Sequence, residues 1–218
     1  MGRTAGLYFL FGTNGTGKST LMKQFIGANN RNLIIPANSL DKAWAKFHKI
    51  KPKFKWITDP EDYKAKRKVK RWYVPNINNY NGTAVLDLSE IENENQIMQL
   101  FKLICSTKNG FRGGGLFIDD FKNYIKTKGT LPHYVRKMLG DRRHREIDLF
   151  FATHSIQELN SDFVQFNPKL VIFNLTLPPN EAVEKKISNY DQLLETIARV
   201  KQKAKSNPYY YEGFQIRC

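Results

Sequence analysis

The stretch "GLYFLFGTNGTGKST", residues 6–20, decides how this 218-residue chain is read. Its first half is short, apolar and aromatic, and it ends at a glycine, the pattern of a buried strand. The second half has the spacing Gly12-x4-Gly17-Lys18-Ser19, with Thr13, Asn14, Gly15 and Thr16 in the interval and Thr20 behind. A loop of this spacing lets the backbone wrap closely, so that successive amide N–H groups point at phosphate oxygens, provided that a strand precedes it and a helix follows. The helix is there: Leu21, Met22, Phe25 and Ile26 recur at helical spacing, and "GANN" stops them. Its N-terminus adds a partial positive charge at the loop. In such a loop Lys18 bridges the β- and γ-phosphates and Ser19 holds Mg²⁺. Thr20 caps the helix or meets the α-phosphate. The stretch therefore predicts a bound nucleoside triphosphate, with ATP and Mg²⁺ as the expected pair.

Further apolar runs follow at intervals. "NLIIP" (residues 32–36), "TAVLDLS" (83–89), "LFIDDF" (116–121), "IDLFFATHS" (147–155) and "KLVIFNL" (169–175) each read as a strand. Between them lie helical patterns: one opened by a Ser89/Glu92 capping box, one with Pro132 in its first turn, and one from Tyr190 to Lys205. Strands alternating with helices predict an α/β fold with a mostly parallel central sheet and helices on both faces. The tail "NPYYYEGFQIRC" is aromatic and unpatterned. We expect residues 1–188 to form the main domain, with an insertion at about 38–80, and residues 189–218 to add a helix and that tail.

Three further groups lie where a ligand of such a sheet would sit. "GGLFI" delivers Asp119 and Asp120 to the carboxyl end of a strand, the edge at which open parallel sheets bind ligands. Asp119 suits Mg²⁺, and Asp120 suits orienting or deprotonating an attacking water. "FFATHS" brings Thr153 and His154 to the same edge, to sense the γ-phosphate or hold the water. "DRRHRE" (141–146) offers Arg142, Arg143 and Arg145 as guanidiniums that, inserted into a neighbour's site, would neutralise charge developing during phosphate cleavage. The plainer alternative is a basic helix end that satisfies terminal carbonyls.

Composition narrows the class. Lys and Arg number 35 against 20 Asp and Glu, a net charge of +15, which suits a polyanionic partner. Between Lys42 and Arg71 there are twelve basic residues and three acids, Asp59, Glu61 and Asp62. Aromatics are interleaved: Trp44, Phe47, Phe54, Trp56, Tyr63, Trp72 and Tyr73. Cations mixed with stacking rings suit nucleic acid. A solvated face whose rings pack inward reads equally well, and "KPKFKW" also describes an edge strand. No window approaches the ~18 apolar residues of a membrane span. The two cysteines, Cys105 and Cys218, have no metal-binding spacing, and Cys105 is expected to be a buried thiol.

Taken in order, the phosphate loop, "LFIDD", the helix running into "RRHREIDLFFATHS" and its polar strand end resemble the FtsK/HerA-type P-loop ATPases. Within that group they are most similar to viral genome-packaging ATPases and to Zot-like phage proteins. The resemblance covers roughly residues 6–175 and departs from the group at Thr153-His154, where a glutamine is common. It implies an additional-strand, RecA-like P-loop NTPase fold and a ring, hexameric or pentameric, that drives DNA through its centre by hydrolysing ATP. Arginine fingers would act between subunits. It further implies a capsid vertex or portal partner and a place in the host cytoplasm or at the packaging vertex. A small nucleoside or nucleotide kinase, with "RRHR" as a lid, is the competing enzyme class. A basic protein using ATP as an assembly switch is the competing binding module.

Overall fold

The computed structural model describes residues 5–38, 41–58, 66, 68–75, 77–125, 129–185 and 187–216. Tyr63, Lys64, Arg67, Cys218 and the acids Asp59, Glu61 and Asp62 lie outside them.

The expected strands form: β1 (Leu7–Phe11), β2 (Arg31–Ile35), β6 (Gly82–Leu86), β7 (Gly114–Ile118), β8 (Ile147–Thr153) and β9 (Lys169–Ile172). All of them run parallel, in the order β9-β1-β8-β7-β2-β6. The insertion of β8 between β1, which leads into the phosphate loop, and β7, which carries Asp119, is the additional-strand arrangement. Two further strands extend the sheet. β3 (His48–Ile50) pairs parallel with β6, and β10 (Glu212–Gln215) pairs antiparallel with β9. The C-terminal tail is therefore not unpatterned: "EGFQ" alternates half-buried and exposed residues at a sheet edge.

Side chains of successive strand residues point to opposite faces, and both faces are covered. Leu10, Ile34, Phe117 and Phe150 face α1 (Lys18–Ile26) through Leu21, Met22 and Ile26, together with Trp44. Phe9, Phe11, Leu33, Leu116 and Phe151 face the other layer. That layer comprises α2 (Glu94–Cys105), α3 (His133–Asp141), α4 (Ser161–Val164), α5 (Glu181–Glu184) and α6 (Tyr190–Lys203). Burial on both sides is why β7, and β8 from Leu149 to Ala152, read as continuous apolar runs rather than alternating ones.

Two local expectations are corrected. Ser89 does not cap α2; its N–H donates to Asp87 Oδ1. The cap is Asn93, which accepts from Gln96 N–H at 3.1 Å, while the Gln96 side chain accepts from Glu92 N–H. The helix thus starts four residues later than the sequence suggested, with the side chain at its third position reaching back to the residue before the cap. The basic segment also splits. Trp44 and Trp72 are buried at 1% and 2% exposure and are unavailable for stacking, and Phe47 packs partly against the core. Phe54, Trp56 and Tyr73 stay exposed, on an antiparallel ribbon of β4 (Lys53–Thr58) and β5 (Lys68–Tyr73) that belongs to no other sheet. Cys105 is a buried free thiol, as expected.

Candidate nucleotide site

The loop after β1 is fastened at both sides. Gly12 N–H donates to Thr153 O at 3.2 Å and Thr13 N–H to Asn174 O at 3.0 Å, so the ends of β8 and β9 hold its start. Gly12 has no room for a side chain: a methyl group there would stand 2.5 Å from Phe173 Cβ. Thr16 Oγ1 closes the turn by donating to Thr13 O at 2.8 Å. Gly17, with φ 95°, is the N-cap of α1 and gives the helix no side-chain cap. The first amides of α1 are thereby left to an external anion. This corrects the capping option for Thr20, which is exposed and lines the cleft beside the loop.

That cleft has a volume of about 590 Å³ and is bounded by the loop from Asn14 to Thr20, by Asp119 and Asp120, and by His154. Lys18 is buried, and its ammonium donates to Gly12 O at 2.5 Å and Thr13 O at 3.0 Å. It also lies 3.4 Å from His154 Nδ1. Burial lowers the Lys18 pKa, against the opposing pull of Asp119, Asp120 and Glu158. His154 is likewise pushed below its ordinary value, first by burial and then by Lys18. A ring nitrogen facing an ammonium accepts only when it carries no proton. With Nδ1 facing Lys18, a neutral His154 would carry its proton on Nε2, the nitrogen that stands 3.9 Å from Asp120 Oδ2.

Asp119 and Asp120 leave β7 in different directions. Asp119 is buried, and its N–H donates to Ile35 O. Its Oδ2 accepts from Trp44 Nε1 at 3.1 Å and lies 3.4 Å from Ser19 Oγ. Burial raises its pKa, while the Trp44 bond works against that. Asp120 turns left-handed, with φ 50°, a conformation that costs an L-residue energy and clusters at functional sites. The turn points its carboxylate toward His154, Lys122 and Asn123. Asp120 Oδ1 and Thr153 Oγ1 are buried with no hydrogen-bond partner, an expensive condition unless a ligand or water meets them.

The donor set fits Mg²⁺. The Ser19 and Asp119 oxygens are hard ligands, and neighbouring positions on an octahedral ion stand about 3 Å apart. Among the described residues no group of three acidic, histidine or cysteine side chains gathers to hold a metal, here or elsewhere. One or two protein oxygens beside substrate phosphates are the usual Mg²⁺ arrangement.

The arginine expectation is corrected in part. Arg145 is buried and donates to Cys105 O at 2.9 Å, Ile104 O at 3.1 Å and Phe111 O. It satisfies the last carbonyls of α2 from inside the fold and cannot reach a neighbouring molecule. Arg142 donates to Leu139 O and Phe166 O and is half-buried. Both follow the plainer reading, in which a basic side chain satisfies terminal carbonyls. Arg143 alone of the three is exposed.

The sequence missed several groups in and around the cleft, of which Asp41 and Tyr209 line it. Trp44 and Asp41 enter from the turn before β3, and Tyr209 enters from the tail, where its ring approaches Gly17. Glu158 reaches Lys122 at 3.5 Å and is pushed up by burial. Each comes from a distant segment whose local pattern gives no sign of the loop it will meet.

Neither a protein-family model nor a curated protein matches the chain. Solved structures match it over nearly its whole length. The genome packaging NTPase B204 from Sulfolobus turreted icosahedral virus 2, in complex with AMPPCP, aligns with 98% of this chain and 94% of its own, at a TM-score of 0.61 and 20% identity. The same protein in complex with ATP-gammaS covers 97% of each chain at 0.54 and 17%. B204, the DNA-packaging ATPase from Sulfolobus turreted icosahedral virus, covers 97% of this chain and 92% of its own at 0.57 and 18%. The fold is that of a P-loop NTPase. Among the described residues no helix is long and apolar enough to cross a membrane.

Proposed function

We propose that the protein hydrolyses ATP to move DNA, as a genome-packaging motor subunit of a virus or phage. The observation that carries the reading is the convergence of Lys18, Ser19, Asp119, Asp120 and His154 on one cleft at the carboxyl edge of the sheet. The fold likeness to viral packaging NTPases supports it.

In this reading the loop amides and the start of α1 bind the phosphates. Lys18 exchanges its bonds to Gly12 O and Thr13 O for β- and γ-oxygens. Ser19 and Asp119 hold Mg²⁺, which when bound neutralises charge on those oxygens. Asp120 accepts a proton from, or orients, the attacking water. Its aim across the site at His154, rather than at Ser19, suits that second role. Neutral His154 positions the water or the γ-phosphate from the Nε2–H side, with Thr153 Oγ1 behind it. Tyr209 flanks the loop beside Gly17, a ring available for contact with the nucleotide. A kinase lid has no support in "RRHR", because Arg142 and Arg145 are committed to backbone carbonyls.

Assembly is part of the proposal. Subunits form a ring of five or six around DNA, at a capsid vertex or portal, and Arg143 reaches the adjacent site. Hydrolysis measured with and without DNA, across protein concentration, tests this. We expect DNA stimulation that grows as the ring forms, and none with Lys18→Ala. Hydrolysis indifferent to both DNA and concentration would exclude a motor.

A further inference from the structure

We infer that the β4–β5 ribbon is the nucleic-acid grip and that it takes unpaired bases rather than intact duplex; this rests on the motor reading above. The strand register puts Lys53 opposite Tyr73 and Lys55 opposite Arg71. Because pairs two residues apart share a face, these four side chains lie on one side of the ribbon, and all four are exposed. Like charges directly opposite each other destabilise a strand pair. Here they are uncompensated: among the described residues, none of Lys53, Lys55 or Arg71 has an acidic partner. Lys70, whose side chain points to the other face, shows what a balanced position looks like. It pairs with Glu92 at 3.3 Å and lies over the Phe54 ring. A polyanion laid along the first face would remove the repulsion that the fold leaves in place.

The shape beside that face narrows the polyanion. Lys55, Arg71 and Tyr73 rim a depression of about 520 Å³ whose floor includes Ile77 and Leu103. A second depression of about 380 Å³ is lined by Lys53 together with Lys49 and Lys51. Lys53 and Lys55 follow each other along one face of β4, so the ribbon carries a row of cations beside one apolar-floored cup and one exposed ring. Phosphates suit the lysines and Arg71, and the cup with Tyr73 offers stacking and apolar contact to a base face. A duplex keeps its base faces stacked inside and gains only from the charges. This face therefore favours a single strand.

Filter binding of a 20-nucleotide oligo(dT) and of a 20-base-pair duplex to the full chain, without nucleotide and at several salt concentrations, tests this. We expect oligo(dT) to bind the natural chain more tightly than duplex does. Lys55→Gln with Arg71→Gln should weaken binding and reduce the salt slope by about 1.4, two single-strand phosphate contacts. Tyr73→Ala should weaken oligo(dT) binding at least about fivefold at an unchanged slope, and Tyr73→Phe should restore it. Basal hydrolysis without DNA and thermal unfolding should match the natural chain in every variant. Natural-strength oligo(dT) binding by the charge variant or by Tyr73→Ala would overturn the inference, as would duplex binding as tight as oligo(dT). Because binding is measured without nucleotide, loss of the motor reading would appear separately, as absent or DNA-indifferent hydrolysis in the natural chain.

Discussion

Arg145 provides the sharpest test of how the "RRHR" segment divides. Replacing it with Met keeps most of the aliphatic stem and removes the guanidinium. Ile104 O retains its bond from Phe111 N–H at 3.0 Å, but Cys105 O and Phe111 O lose their Arg145 donors. Hydrogen bonds to a charged group are worth about 1.5–3 kcal/mol each, so the two lost bonds cost about 3–6 kcal/mol together. For a chain of 218 residues, the unfolding entropy is about 0.46 kcal/mol/K, so Tm should fall by about 7–13 °C. Arg143→Ala removes an exposed side chain and should change stability by less than about 0.5 kcal/mol. Calorimetry of the two variants gives the comparison. Mixing each with Asp120→Asn subunits then asks which arginine acts across an interface: Arg143→Ala mixtures should recover hydrolysis. If Arg145→Met melts with the natural protein and regains activity only in mixtures, Arg145 is the inter-subunit group and the burial argument fails.

Two other outcomes follow from the site geometry. Trp44→Phe removes the indole donor to Asp119 Oδ2; we expect a loss of about 1.5–3 kcal/mol and a higher Mg²⁺ requirement for hydrolysis, and an unchanged Mg²⁺ titration would refute the link. Burial holds the His154 pKa below the ordinary value. The unfolded chain therefore takes up this proton at higher pH than the folded one. Its share of stability is whole above about pH 6.5 and is lost as pH falls through the lower folded value. The acid limb of hydrolysis should follow the same group, and a pH–rate profile in which His154→Gln leaves that limb in place would remove His154 from the mechanism.

The parts of the fold that could be read in advance are those where local chemistry is unambiguous. β1, β7 and β8 from Leu149 to Ala152 are covered on both faces, so apolar residues run without a break, and the glycine-rich loop has few other uses. Edges give weaker signals. β3 is three residues long, and β10 alternates because one side meets little of the core. Arginine was illegible for a different reason. Arg142, Arg143 and Arg145 are the same residue type within four positions, and only tertiary contacts decide which guanidinium meets carbonyls and which meets water. Trp44 shows the same limit. Within a basic aromatic segment it looked like a stacking ring, yet the chain carries it under Lys23 of α1 and against Asp119.

The placement of Trp44 has a spectroscopic consequence. The chain has three tryptophans. Trp44 sits in the core with its indole N–H on the Asp119 carboxylate, Trp56 is 58% exposed on the ribbon, and Trp72 anchors that ribbon at 2% exposure. Their emission should separate into a buried, blue-shifted class, in which Trp44 is placed to respond to Mg²⁺ and nucleotide and Trp72 to changes in the ribbon, and the exposed, red-shifted Trp56. With two of the three replaced by Phe, the order in which the fuel site and the ribbon change could be timed in a stopped-flow mixer without attaching a dye.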